Sequence, residues 1–192
     1  MNRRVLFAIS LLLGFALPPS ARSANDPNPN PTPAPAPPAS PCSSAESLQF
    51  DFWVGEWDVR DASGQIAGRS RVSKILGGCV IHEEWTGLGE GKGFDGESLS
   101  SWRPSEAGWR QTWVDNSGKH LDLRGGSPRP GSMSLNGEVI RSGRRFLTRL
   151  SWTAEADGVR QIFESSGDAG ATWKTVFEMR YARRPKESNE RP

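Results

Sequence analysis

Residues 173–182 read WKTVFEMRYA, and large apolar side chains alternate with polar or charged ones through most of this segment. Successive residues of a β-strand point to opposite faces of a sheet, so this segment predicts an antiparallel strand with one buried and one mostly solvated face. Residues 144–154 repeat the pattern. The apolar face of 173–182 comprises Trp173, Thr175, Phe177, Met179 and Tyr181.

The remainder of the chain after Cys42 is read in the same way. No window keeps apolar residues at helical spacing, and Gly- or Asn-containing turn signals recur every 8 to 14 residues. Many short strands with one apolar face must close on themselves to avoid exposed edges. The predicted fold is therefore all-β, an antiparallel barrel of 8–10 strands, with a flattened sandwich as the alternative and a short helical turn at 44–48. The predicted strands are 50–60, 65–75, 79–86, 94–103, 108–115, 119–125, 132–141, 144–154, 158–165 and 172–182.

The region before Cys42 has a different composition. Residues 1–23 combine Arg3 and Arg4 with an apolar run of 13 residues and small residues at a cleavage position, which predicts a signal peptide. An uncleaved membrane anchor is the alternative, but the run falls short of the roughly 20 residues that span a bilayer. Residues 24–46 form a Pro-rich linker, 47–182 the barrel domain and 183–192 a charged, disordered tail. We expect an exported protein, periplasmic or extracellular.

Charge limits the partners that we expect. Without the leader the chain carries 21 basic and 22 acidic residues, so it has no global attraction for nucleic acid or anionic membrane. No later segment is long and apolar enough for a membrane span. The expected partner is a small hydrophobic or amphipathic molecule.

The two cysteines are Cys42, where the linker ends, and Cys79, in a Gly-Gly-Cys turn. An even count in an oxidising compartment favours a disulfide between them, which would tie the linker to the barrel. Two unpaired thiols are the alternative.

The segment FDFWVGEWDV, residues 50–59, is the most specific motif of the chain. Gly55-x-Trp57 is similar to the start of lipocalins and other calycins. The whole stretch resembles an uncharacterised bacterial secreted family that opens with F-D-F-W-x-G-E-W, and the resemblance extends over nearly all of residues 42–182. It implies a calycin-like barrel in which Trp57 plugs the closed end and Gly55 permits close backbone approach. It implies no established activity.

Two further motifs are interpreted as structural. Residues 166–173 fit the S-x-D-x-G-x-T-W box of sialidases, which carry several copies, whereas a single copy is typical of a hairpin turn. Its defining residues are Ser166, Asp168, Gly170 and Trp173. Residues 91–96 spell G-x-G-x-x-G, but they precede a predicted strand rather than a helix, so we expect a flexible loop at the barrel mouth and no dinucleotide site.

Catalytic and metal-binding patterns are sparse. His82 and Glu83 are the weak catalytic candidates. His82 and Glu84 could share a face of the strand and act together as a general base, or they could bind a metal with His120 if the strands approach. We expect no metal and no cofactor. The distantly similar nitrobindins bind haem through a histidine near the chain end. The last histidine here is His120, so the closing strand has no such ligand and we do not expect haem.

The most favoured function is the binding of a small apolar or amphipathic ligand in the barrel, with Glu83 as a polar anchor. The first alternative is an enzyme on the same barrel, an isomerase or hydrolase with Glu83 or His82 as the acid–base group. The second is a structural domain on a stalk. The expected ligand-lining residues are Trp85, Gln111, Trp113, Phe177, Tyr181 and Glu83.

Overall fold

The structure is a computed structural model that describes residues 42–185. Ten antiparallel strands form one closed barrel in which each strand pairs with the next in sequence and the first pairs with the last. This confirms the predicted all-β barrel and excludes the sandwich. The strands are β1 Gly55–Asp61, β2 Ile66–Ile75, β3 Val80–Gly87, β4 Asp95–Arg103, β5 Gly108–Asp115, β6 His120–Gly126, β7 Ser132–Arg141, β8 Arg144–Glu155, β9 Gly158–Ser166 and β10 Lys174–Arg183.

The first strand starts later than predicted. Residues Asp51–Trp53 form a 3₁₀ turn, and β1 begins only at Gly55. In a strand, Phe50 and Trp53 would point to opposite faces, whereas a helix with three residues per turn places them on the same side. Both side chains are fully buried, so packing selects the turn. The helical turn expected at 44–48 is the 3₁₀ turn Glu46–Leu48. Further 3₁₀ turns lie at Leu76–Gly78, Gly89–Gly91 and Pro104–Glu106.

One end of the barrel, which we call the closed end, is sealed by aromatic side chains. Phe50 lies 4.9 Å from Trp53 and 5.0 Å from Trp152, measured between ring centroids. The Nε1 of Trp57 donates to the carbonyl oxygen of Trp53 at 3.0 Å. Every ring of this cluster is at most 2 % exposed, so water is excluded from this end. The cluster comprises Phe50, Trp53, Trp57, Trp109 and Trp152.

The space beside this cluster at position 55 is too small for any side chain, so glycine is required there. A Cβ built on Gly55 would lie 2.6 Å from Nη1 of Arg183 and 3.1 Å from Cζ2 of Trp57. Arg183 itself lies over the Trp57 ring, 4.5 Å from its centroid. The Gly-x-Trp sequence therefore allows a cation to cover the tryptophan that closes the barrel.

The predicted disulfide is confirmed. Cys42 and Cys79 are bonded, with their Cα atoms 4.9 Å apart, and no free cysteine occurs in the described residues. Cys79 follows the Leu76–Gly78 turn between β2 and β3, so the bond fastens the segment before β1 to this turn. The loop that it closes contains the whole of β1 and β2.

The outer face of the barrel is charged. Arg160 forms two hydrogen bonds of 2.8 Å with the carboxylate of Glu178, and Arg149 pairs with Glu164 at 2.8 Å. No helix within residues 42–185 is long and apolar enough to cross a membrane. The predicted signal peptide, residues 24–41 of the linker and residues 186–192 of the tail lie outside the described residues.

Candidate functional site

The middle of the barrel contains a buried carboxylate. Glu83 points inward from β3 and is 4 % exposed. The hydroxyl of Ser70 donates to its Oε1 at 2.8 Å, and the hydroxyl of Ser98 donates to its Oε2 at 3.2 Å. These donors come from β2 and β4, the two strands that flank β3, so the sheet itself positions them.

Tyr181 extends this polar cluster across the interior. Its hydroxyl lies 3.5 Å from Oε1 of Glu83 and 3.2 Å from Oε1 of Gln161. On the other side, Nε2 of Gln111 donates to the hydroxyl of Ser100 at 3.0 Å. All of these side chains are buried, and together they form a polar layer across the barrel. The polar layer comprises Ser70, Glu83, Ser98, Ser100, Gln111, Gln161 and Tyr181.

Two hydroxyls on the opposite wall have no partner. Thr148 is fully buried on β8, which is five strands away from β3 in either direction around the barrel. Its Oγ1 makes no hydrogen bond, and neither does the buried Oγ of Ser165, its neighbour on β9. Within residues 42–185, the Nε1 atoms of Trp85 and of the closed-end residues Trp53 and Trp152 are also buried without a partner. Buried polar groups are normally hydrogen-bonded, so these atoms mark positions where a further group would be favourable.

The other end of the barrel, which we call the open end, carries half-buried aromatic rings. Trp85 and Trp113 each follow a residue of the polar layer at the next inward position. A Cβ on Gly68 would overlap the Trp85 indole, and one on Gly96 would overlap the Trp113 indole. Each ring is thus in close contact with a glycine on the adjacent strand, so it lies against the barrel wall. Phe163 and Phe177 stack on each other nearby, with centroids 5.2 Å apart.

Burial raises the pKa of Glu83 from its ordinary value of 4.5 to about 7. The hydroxyls of Ser70, Ser98 and Tyr181 oppose this shift because they stabilise the ionised form. No Lys or Arg of residues 42–185 forms an ion pair with Glu83. Burial, followed by the charge of Glu83, raises the pKa of Tyr181 well above 10. Glu83 therefore changes charge near neutral pH inside the barrel.

This shift predicts a pH dependence of stability. Between pH 4.5 and about 7 the folded chain retains a proton on Glu83 that the unfolded chain has released, so raising the pH destabilises the folded state. We expect the free energy of unfolding of the wild type, relative to Glu83→Gln, to fall by about 3 kcal/mol over this range and then to level off. Urea unfolding of both proteins at several pH values measures the difference. A constant difference would show that Glu83 titrates normally.

The structure places all six predicted lining residues on the inner face, but in two groups. Glu83, Gln111 and Tyr181 belong to the polar layer and are buried. The remaining three, Trp85, Trp113 and Phe177, are half-buried toward the open end.

The histidines are not part of this interior. His82 lies on the outer face with its Nε2 2.8 Å from Oε2 of Glu97, so it cannot act together with Glu83 on one substrate. Glu84 pairs with Arg71, and His120 pairs with Asp122 on β6. The structure therefore does not join His82, Glu84 and His120, and no cluster of three metal-ligating side chains occurs among the described residues.

Sequence reasoning missed the remainder of the polar layer. Ser70, Ser98 and Gln161 occupy inward positions of their strands, but their side chains are also typical of a solvated face. Alternation along the strand could have identified them as inward, because each lies two residues from an inward aromatic or apolar residue or glycine. Gln161, for example, lies two residues from both Val159 and Phe163. Thr148 occupies an inward position of β8 and was not among the predicted site residues.

The box at residues 166–173 forms a hydrogen-bonded turn. Asp168 accepts from the amide of Thr172 at 2.9 Å and from its hydroxyl at 2.6 Å, and these bonds lower the pKa of Asp168 to about 2. Ser166 Oγ accepts from the amide of Gly170 at 2.8 Å. Every contact is used to hold the turn between β9 and β10.

The prediction that Trp173 and Thr175 share the apolar face of Phe177 and Tyr181 is wrong. The register shifts between Thr175 and Phe177, and this shift turns the residues before it to the outer face. Trp173 there lies under the guanidinium of Arg149, 4.3 Å away.

The glycine-rich segment at 91–96 leads directly into β4. Gly87 donates its amide to the carbonyl oxygen of Phe94 at 3.0 Å, which closes the loop at the open end. A strand instead of a helix follows the glycines, so no helix N-terminus is available for a pyrophosphate.

Two surface grooves lie away from the polar layer. One, of about 850 Å³, is bordered by Gly55, Lys74 and Arg183, and the other, of about 550 Å³, by Phe52 and Pro128. No residue of the polar layer lines either groove.

No family model matches the chain, and no curated protein matches it.

Proposed function

We propose that this is an exported protein that holds a small apolar or amphipathic molecule in the open half of its barrel. The observation that carries the proposal is the asymmetry of the aromatic side chains along the barrel axis. At the closed end the rings are at most 2 % exposed, whereas Trp85, Trp113 and Phe177 at the open end are half-buried. A ligand would enter at the open end and rest on the polar layer.

The number and size of inward side chains support this proposal. Barrel diameter grows with the number of strands, and eight strands already suffice for one small ligand. Here ten strands enclose the interior, and many inward residues are small. They include Gly68, Ser70, Gly96, Ser98, Ser100 and Thr148. The tryptophans lie against the walls over two of these glycines and therefore offer flat apolar surface to a ligand.

Export is supported by the leader and by the disulfide. Residues 1–23 have the pattern of a secretory signal. The Cys42–Cys79 bond requires an oxidising compartment to persist. The bond holds Cys42 beside the turn between β2 and β3, at the closed end.

Proton transfer is the second candidate function, favoured by one observation. Glu83 has a pKa of about 7, and general acid–base catalysis is most efficient when the pKa lies near the operating pH. The hydroxyl of Tyr181 lies 3.5 Å from Glu83, so the two groups could donate and accept a proton at two positions of one substrate, as an isomerase requires. An isomerase would use the same open half to bind its substrate.

The binding proposal predicts a selective effect of Trp113. A thermal-shift screen of fatty acids, alkyl alcohols, alkylamines, isoprenoids, aromatic acids and haem on the disulfide-bonded protein should give at least one compound that stabilises it, by about 2.7 kcal/mol at a hundredfold excess over Kd. Trp113→Ala should weaken binding of that compound about tenfold, because an aromatic wall of the site is lost.

Trp173→Ala is the matched control, since Trp173 is also half-buried but packs under Arg149 away from the interior. It should leave the affinity unchanged. A screen in which no compound stabilises the wild type, or in which both variants lose affinity equally, would contradict binding in the barrel.

A further inference from the structure

Glu83 is a buried carboxylate with which no cation of residues 42–185 forms an ion pair. Its partners are hydroxyls of Ser70, Ser98 and Tyr181, and none of these can neutralise a charge. His82, the neighbour of Glu83 in sequence, lies on the outer face beside Glu97. Buried charges in proteins are normally paired, and an unpaired one is costly. The missing partner is therefore either a proton or a positively charged group of a ligand.

The surroundings of Glu83 favour a positively charged group. Trp85 follows Glu83 by two residues on β3, which places it about 7 Å further toward the open end. Trp113 lies on β5 with its indole over Gly96, the β4 residue that pairs with Trp85, and Phe163 and Phe177 line the wall formed by β9 and β10. The faces of aromatic rings attract cations, with tryptophan the strongest. A cation on its way to Glu83 would pass these rings.

Rings at the open end already attract cations from the protein itself. The Nζ of Lys119 lies 5.9 Å from the Phe94 centroid, and the guanidinium of Arg144 lies 5.6 Å from that of Phe146. Asp115 accepts from Nε1 of Trp113 at 3.1 Å, and the hydrogen bonds that it accepts hold its pKa below the usual value despite some burial. An ionised carboxylate thus stands beside Trp113 at the open end.

We infer that the molecule held in the barrel is a cationic amphiphile, an alkyl- or arylammonium whose charged head lies against Glu83 and whose apolar body packs between Trp85 and Trp113. This inference rests on the proposed binding function and adds the charge of the ligand. A carboxylic acid is disfavoured, since its anion would face Glu83 without an intervening cation.

Three probes with the same chain and different heads test the inference: n-octylammonium chloride, 1-octanol and sodium octanoate. Isothermal titration calorimetry at pH 8, where Glu83 is ionised, should show octylammonium binding about tenfold or more tightly than octanol, and octanoate most weakly. Lowering the pH from 7 to 5 should weaken octylammonium binding by up to about tenfold per unit, because protons compete for Glu83.

Glu83→Gln should abolish the preference for octylammonium over octanol and remove the pH dependence. Glu97→Gln is the matched control, because it removes the same charge from the outer face of the adjacent strand, where Glu97 contacts His82. It should leave the preference intact. If Glu83→Gln does not fold, the three probes and the pH series on the wild type decide the question.

The outcomes separate the two proposals. Equal binding of octylammonium and octanol, or tighter binding of octanoate, would overturn the cationic ligand and leave a neutral or acidic ligand in the barrel. Failure of all three probes, together with a negative screen, would overturn both proposals. Equal losses in the Glu83 and Glu97 variants would show that the preference arises from net charge and would overturn the assignment to Glu83.

Discussion

Replacing Trp57 by alanine is expected to lower the free energy of unfolding by about 3–5 kcal/mol. The side chain is 1 % exposed, its Nε1 donates to the backbone of Trp53, and Arg183 covers its ring. Alanine would leave a cavity beneath the Arg183 guanidinium and would remove the partner of a buried carbonyl. The surrounding rings cannot collapse into this space, because the 3₁₀ turn, β5 and β8 fix their backbones.

Chemical denaturation of the wild type, Trp57→Ala and Trp113→Ala measures this difference. Trp113 has the same volume but is half-buried at the open end, so its removal should cost less than half as much. Equal losses for the two variants would mean that both ends of the barrel are packed alike. The asymmetry on which the binding proposal rests would then be lost.

The strands were predictable because two local signals agreed along the chain. Turn residues mark where each strand ends, and alternation marks which side chains face inward. The start of β1 was wrong for a physical reason that the same signals do not contain. The aromatic residues of segment 50–53 are compatible with a strand as well as with a turn. Only the packing at the closed end, where Phe50 and Trp53 are both buried, selects the turn.

The candidate site was predictable in part, for the same reason. Alternation placed Glu83, Gln111 and Tyr181 on the inner face, but it does not tell which inward residues meet across the barrel. Glu83 and Tyr181 are 98 residues apart in sequence, and they approach because β1 closes against β10. Barrel closure and the stagger of its strands decide this contact, and no local pattern encodes them.

The polar layer also explains why Glu83 stands out from the other inward polar residues. Serine, threonine and glutamine can be buried at modest cost once they find hydrogen bonds, whereas a carboxylate retains the cost of its charge. In the described structure this cost appears as the raised pKa of Glu83. A buried carboxylate of this kind marks a candidate functional position, because a bound cation or a transferred proton would offset the cost of its charge.

Removing the disulfide by the double substitution Cys42→Ser and Cys79→Ser is expected to lower the free energy of unfolding by about 4 kcal/mol. The two cysteines are separated by 37 residues, and a cross-link of this length restricts the unfolded chain by about that amount in the chain-entropy model. Both cysteines are only half-buried, so little packing is lost and most of the effect should come from the unfolded state.

Urea unfolding of the wild type with and without a reducing agent gives the control for this experiment. The reduced wild type and the double variant should lose the same stability, because serine and a reduced cysteine differ little at a half-buried position. Two freely titrating thiols in the unreduced, denatured wild type would contradict the bond. A loss well below 4 kcal/mol would instead mean that β1 and β2 stay associated in the unfolded chain, since the cross-link then has little freedom to remove.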